Sequence, residues 1–314
     1  MSKSYEIISL IGEGNFGKIW KAKSKIYGEV AIKIVDIEKS EKIFAGAIDN
    51  EVNILKKLAN SGHHNNVLFY YDSYIDGNLL YIITEYIDGI MFKDYIKNSS
   101  NTNDEFWFLV KQLVEGLYFI HSNGVAHRDI KPHNIIINRN SLNIKYIDFG
   151  LACDISSCYG NPGTILFYPP EYFQTRMAII NNEPVPNLKL TREMVVERGQ
   201  LHDIWSLGVT IHQLFYGLWN LPFKVLPRLS WSIDEDNDQF CPPCFNKDNF
   251  LTLDVRSLRT DLDTQYGYIY YLNYVGPPQT DRKINFLLEM MLTNSLESRA
   301  DIYEVTDYLD SIFI

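Results

Sequence analysis

The chain has 314 residues, 46% hydrophobic and 22% charged, with a formal net charge of −10. That acidic balance disfavours a nucleic-acid partner, which needs a basic surface, and no run of about 18 apolar residues suggests a membrane-spanning helix. Four cysteines are too few for a disulfide scaffold, so a reducing setting, cytoplasmic or nuclear, is expected.

The opening MSKSYEIISL holds an early Glu6 and no long apolar stretch, so no secretory leader is expected. The length suits two lobes sharing a cleft. Residues 5–35 alternate apolar and polar side chains in three short runs, which predicts an antiparallel sheet. Between the first two runs, Gly12, Gly14 and Gly17 form G-x-G-x-x-G. Missing side chains there let a backbone approach phosphates closely. A dinucleotide-binding turn reads similarly, but it should open a helix, and KIWKAKS reads as a strand.

Lys33 ends the run VAIK. From Ala45 to Ala59, Ile48, Val52, Leu55 and Leu58 recur at helical spacing. Glu51 shares a face with Leu55 and Leu58, so it points inward and needs a cation. Lys33, 18 positions upstream, is the expected partner. NVLFYYDSY and NLLYIITEY then read as two strands joined at Asp76-Gly77. Residues 105–121 are apolar nearly all round and predict a buried helix.

Next comes AHRDIKPHNIIIN, residues 126–138, followed by IDFG at 147–150. Asp129 can accept a proton from a hydroxyl, and Lys131 can reach a phosphoryl group. Asn134 and Asp148 offer hard oxygen ligands of the kind Mg²⁺ prefers. In these segments the chain resembles the eukaryotic-type serine/threonine protein kinases, and the likeness extends over roughly residues 5–310.

That resemblance implies an α+β, bilobal fold. A small antiparallel-sheet lobe with one key helix would span residues 1–86, and a larger, mainly helical lobe residues 87–314. It implies ATP and Mg²⁺ as cofactors and proteins as substrates. The turn Ile11, Gly12, Glu13, Gly14, Asn15, Phe16 and Gly17 would cover the ATP. Ile19 and Ala31 would lie on one side of the adenine and Ile136 on the other. Thr84 matches the gatekeeper, and Glu85, Tyr86 and Ile87 the hinge. Lys33, held by Glu51, would contact the α- and β-phosphates. Asp129 would be the catalytic base, Lys131 the phosphoryl-binding cation, and Asn134 and Asp148 the metal ligands. His127 would be a packing residue, and Phe149 would pack beneath the Glu51 helix.

GTILFYPPE, residues 163–171, resembles the family's substrate platform, with Ile165 and Pro169 as departures. Thr164 is expected beside Asp129 and Lys131, as in serine/threonine kinases. Glu171 is expected to pair with Arg299, and DIWSLGVTIHQLFYG, residues 203–217, to form a fully buried helix. Arg128 would balance Asp129 or a phosphorylated Ser156, Ser157 or Tyr159. Insertions near 174–200 and 224–280 read as surface additions, with partner docking as the sharper alternative. Cys241 and Cys244 are too few for a zinc site, since Cys153 and Cys158 are the only other thiols. His63 and His64 are assigned no metal either. The expected activity is phosphoryl transfer to protein Ser/Thr hydroxyls. The alternatives are an ATP-binding pseudokinase scaffold and a small-molecule kinase, the latter disfavoured by Lys131-Pro132.

Overall fold

The computed structural model describes residues 5–14, 17–39, 47–156, 158, 163–171, 192–222, 224–226, 263–264, 267–270 and 281–313. A five-stranded antiparallel sheet forms first, from β1 (Tyr5–Gly14), β2 (Gly17–Ser24), β3 (Gly28–Asp36), β4 (Tyr70–Asp76) and β5 (Leu79–Glu85). Its order is β1-β2-β3-β5-β4. Tight turns at Gly28 and Gly77 adopt positive φ, which a residue without Cβ tolerates. Gly17 is required for a second reason. It takes φ 151°, and a Cβ there would collide with the Ile34 carbonyl.

Side chains in β3 alternate between two faces. Val30 and Ile32 pack with Ala22 and Ile83 on one face, covered by Tyr27, Tyr71, Tyr74 and Tyr81. Ala31 and Lys33 therefore share the other face. Against it lies α1 (Ala47–Asn60), which buries Val52, Ile54, Leu55 and Leu58.

After β6 (Ile90–Met91) and α2 (Phe92–Asn98) comes α3 (Asn103–Ser122). Thr102 caps it in a capping box with Glu105. Leu109, Val110, Leu113 and Leu117 are fully buried along it. Gln112 on α3 binds Asn66 at 3.0 Å and the Ile144 amide at 3.1 Å, in a buried network. These bonds fix β9 (Ile144–Tyr146), which pairs with β8 (Ile135–Ile137). Asn66 O and Leu68 N also bond Tyr146, at 2.8 and 3.0 Å.

The chain divides into two compact units, Met1–Tyr95 with Asn101–Cys158, and Ile96–Ser100 with Tyr159–Ile314. Residue 86, the expected end of the smaller lobe, lies within the first unit. The antiparallel sheet followed by helices is the α+β class expected.

In the second unit, α4 spans Arg192–Tyr216, longer than the helix expected at 203–217. Its first nine residues come from the stretch read as an insertion. Ile204, Trp205, Leu207, Val209 and Ile211 are buried, but Phe215 is 39% exposed, so the helix is not buried all round as expected. Within 224–280, β11 (Lys224–Leu226), β12 (Asp263–Thr264) and β13 (Gly267–Tyr270) form a small sheet. α5 (Arg282–Met291) and α6 (Ile302–Ile312) close the described chain.

Arg299 anchors this unit. Its guanidinium, 0% exposed, forks onto the Glu171 carboxylate at 2.7 and 2.9 Å. It also donates to the Leu201 and Thr293 carbonyls, each at 3.2 Å. Removing one partner strands a buried charge. Arg299→Leu is therefore expected to lower the unit's stability by about 3–5 kcal/mol in denaturant unfolding. A loss below about 1 kcal/mol would mean the pair is replaceable.

Candidate active site

The inward face of the sheet carries the first group of expected site residues. Ile19 sits opposite Lys33, and Ala31 sits opposite Thr84, so all four share one face. Ile19, Ala31 and Ile136 are half-buried, while Thr84 is buried. Gly12 is half-buried, and Ile11 and Glu13 are exposed near the tip of the β1–β2 hairpin, which closes at Gly14 and Gly17. Asn15 and Phe16 lie outside the described residues, as do Ser157, Tyr159, Cys241 and Cys244.

Lys33 reaches Glu51 on α1, with Nζ 2.7 Å from Oε1 and 2.9 Å from Oε2. Glu51 is only 7% exposed. Lys33 also lies 4.0 Å from the Asp148 carboxylate. Burial alone would lower the lysine's pKa. The charges of Glu51 and Asp148, with the hydrogen bond to Glu51, outweigh it and hold the pKa above the ordinary value. Lys33 is therefore a fixed cation at neutral pH.

The segment after β7 (Val125–Ala126) carries the second group. Asp129 Oδ2 accepts from Lys131 Nζ and from Asn134 Nδ2, both at 2.8 Å. Asn134 Nδ2 also donates to the Asp129 carbonyl at 2.9 Å. Both amide hydrogens of Asn134 thus face Asp129, which turns its Oδ1 away. The exposed Asp148 carboxylate adds a second oxygen donor. Both oxygens are of the hard donor type that a divalent cation such as Mg²⁺ takes. Among the described residues, no cluster of three or more His, Cys, Asp or Glu forms a metal site.

His127 is fully buried. Its Nδ1 accepts from the Asp129 amide at 3.3 Å, so the proton resides on Nε2, which donates to Ile147 O at 3.1 Å. Its ring lies 4.9 Å from that of Phe149. The packing role expected for His127 agrees with this geometry. Arg128 and Asp148 flank the constellation with φ of 63° and 61°. Such conformations cost of order 1–3 kcal/mol each and persist where surrounding contacts impose them. One such contact is Arg128 Nε donating to Leu151 O at 2.8 Å.

Three features escaped the sequence reading. Asn50 on α1 donates to Ala152 O at 2.6 Å. Lys57, two turns on, pairs with Asp154 at 2.6 Å and helps hold that carboxyl down at about 2 against its burial. Asn50 and Lys57 share one face of α1, seven residues apart and about 100° round the helix from Glu51, and that polar spacing is the signal that could have found them. The third is Lys145, which pairs with Glu85 at 2.8 Å, while Glu85 Oε1 also accepts from Phe69 N. Glu85 is therefore locked at the end of β5. One expectation is corrected. Cys153 and Cys158 are not free thiols but a disulfide, because the turn after β10 (Cys153–Asp154) brings their Cα atoms to 5.3 Å.

A sequence model described as the protein kinase domain matches residues 5–307. The chain belongs to the protein kinase family. Among its relatives, serine/threonine-protein kinase TIO of Arabidopsis thaliana is 30% identical over 68% of this chain. Serine/threonine-protein kinase sid1 of Schizosaccharomyces pombe is 28% identical over 69%. Serine/threonine-protein kinase 36 of Mus musculus is 28% identical over 68%. The chain spans 15%, 42% and 15% of the lengths of these relatives. Kinases of this family in general use ATP with a divalent metal.

The Lys33–Glu51 pair gives a sharp test. Glu51→Leu removes the nearer of the two carboxylates beside the Lys33 ammonium and should cost about 3 kcal/mol in chemical denaturation. Lys33→Met combined with Glu51→Leu should recover part of that loss. Additive losses in the double variant would contradict a coupled pair.

Proposed function

We propose that this chain transfers the γ-phosphoryl group of ATP to serine or threonine hydroxyls of protein substrates. The observation that carries this reading is the convergence of Lys131 and Asn134 on one oxygen of Asp129. Two donors fix the plane of that carboxylate before any substrate arrives, so little reorganisation remains for the reaction. Asp129 orients the incoming hydroxyl and takes its proton as the oxygen bonds to phosphorus and the bond to the β-phosphate oxygen breaks. Lys131, already beside Asp129, offsets charge on the transferring group. Lys33, held by Glu51, positions the α- and β-phosphates.

Asn134 Oδ1 and the Asp148 carboxylate would hold Mg²⁺. When bound, the ion neutralises charge on the phosphate oxygens. The face bearing Ile19, Ala31 and Thr84 receives the adenine from one side, and Ile136 from the other. Lys145 and Phe69 lock Glu85, so the backbone of residues 85–87 can present fixed hydrogen-bonding groups to the adenine edge. The names of the relatives support serine and threonine as acceptors, and Lys131 agrees with that preference.

The test is transfer of labelled phosphate from ATP with Mg²⁺ to serine- and threonine-rich proteins. Asp129→Ala is expected to cut incorporation by about a hundredfold or more. Equal incorporation by wild type and variant would refute Asp129 as the base. ATP binding without transfer by wild type would favour a nucleotide-binding scaffold.

A further inference from the structure

We propose that Cys153 and Cys158 form a reversible thiol–disulfide switch that tightens or loosens residues 153–158 against the strand leading into Asp129. Its effect on phosphate transfer rests on the kinase reading above; its effect on the backbone does not.

Cys153 lies on β10, which pairs antiparallel with β7, Cys153 opposite Ala126 and Asp154 opposite Val125. Residues 125–126 lead directly into His127, Arg128 and Asp129. The neighbouring turn is tied down on two sides. Lys57 on α1 grips Asp154 at 2.6 Å, and Ile155 N donates to Gly124 O at 3.0 Å. Ser156 Oγ and N close the turn on Asp154 Oδ1 at 2.6 and 2.9 Å. Cys158 lies five positions beyond Cys153, past this turn, and the disulfide returns it to β10. The bond closes a small ring around the Asp154 turn. It thereby ties Cys158 to the strand beside Val125 and Ala126.

Asymmetric burial gives the chemistry a direction. Cys153 is 4% exposed, whereas Cys158 is half-buried. A dithiol reductant would attack the Cys158 sulfur with one thiolate. The Cys158–Cys153 bond breaks, and Cys153 leaves with the electron pair and takes up a proton. The second thiol of the reductant then displaces Cys158 as a thiol and closes the reductant's own disulfide. Two electrons pass from the dithiol to the protein, and the reverse exchange restores the bond. In the bonded form Lys33 grips Glu51, Phe149 is buried, and Lys131 and Asn134 converge on Asp129. These contacts are therefore assembled in the oxidised state.

The experiment poises the full chain across ratios of reduced to oxidised dithiothreitol. Three readouts follow: alkylation at Cys153 and Cys158 by peptide mass mapping, amide exchange at residues 124–126 and 153–156, and phosphate transfer. Peptide mapping separates these thiols from Cys241 and Cys244. The expected result is joint alkylation of both residues on reduction, with faster exchange in both segments. A several-fold fall in transfer, reversed on reoxidation, should accompany it. Cys158→Ser should behave as the reduced form at every poise. Free thiols at every ratio, or exchange that does not respond to reduction, would overturn the proposal. Exchange that responds while neither form transfers phosphate would support the switch and overturn the activity reading instead.

Discussion

A lysine and a glutamate removed from bulk water will stay together, and much of the first unit is arranged around that fact. Lys33 sits on a sheet strand and Glu51 on a helix, so their contact at 2.7 Å joins two kinds of structure whose backbones share no hydrogen bonds. Either charge alone would be costly at that depth. The pair also sets the rotation of α1, and that rotation decides which other side chains face the chain after Asp148. Asn50 and Lys57 then reach Ala152 and Asp154. One ion pair thus propagates into the placement of residues 148–156.

The second organising element is the backbone path around Asp129. His127 is pinned from both ring nitrogens, and Arg128 and Asp148 hold left-handed conformations that cost energy. Arg128 is held by the Leu151 carbonyl, which accepts from its Nε, while Asn66, Gln112 and Leu113 brace the strand that leads to Asp148. The result is a carboxylate with little freedom, flanked by a cation and an amide. Rigidity of this kind suits a reaction in which positioning and electrostatics carry most of the catalysis.

Much of this was legible in the sequence, for local reasons. Alternation along VAIK placed Lys33 on a face, and helical phase placed Glu51 inward. The 18-residue spacing then made them partners. The spacing of Asp129, Lys131 and Asn134 is short enough for one turn of chain to bring them together. Thr102 and Glu105 form a capping pattern that fixes the start of α3 two residues before the expected 105. What escaped was long-range or chemically ambiguous. Glu85 and Lys145 are 60 positions apart in chain segments that carry no mutual signal. Cysteine composition argued for thiols, whereas pairing depends on a turn whose geometry the sequence does not announce. Glu171 and Arg299, 128 positions apart, were matched only through resemblance to a family.

The most direct measurement of the central claim is covalent labelling by an acyl phosphate of ATP, which acylates a lysine amine held beside bound phosphates. Peptide mapping identifies the lysine. Selective acylation of Lys33 among the chain's lysines is expected, with protection by excess ATP and Mg²⁺. Labelling spread over surface lysines, or labelling at Lys33 that ATP does not suppress, would contradict a nucleotide site built on the Lys33–Glu51 pair.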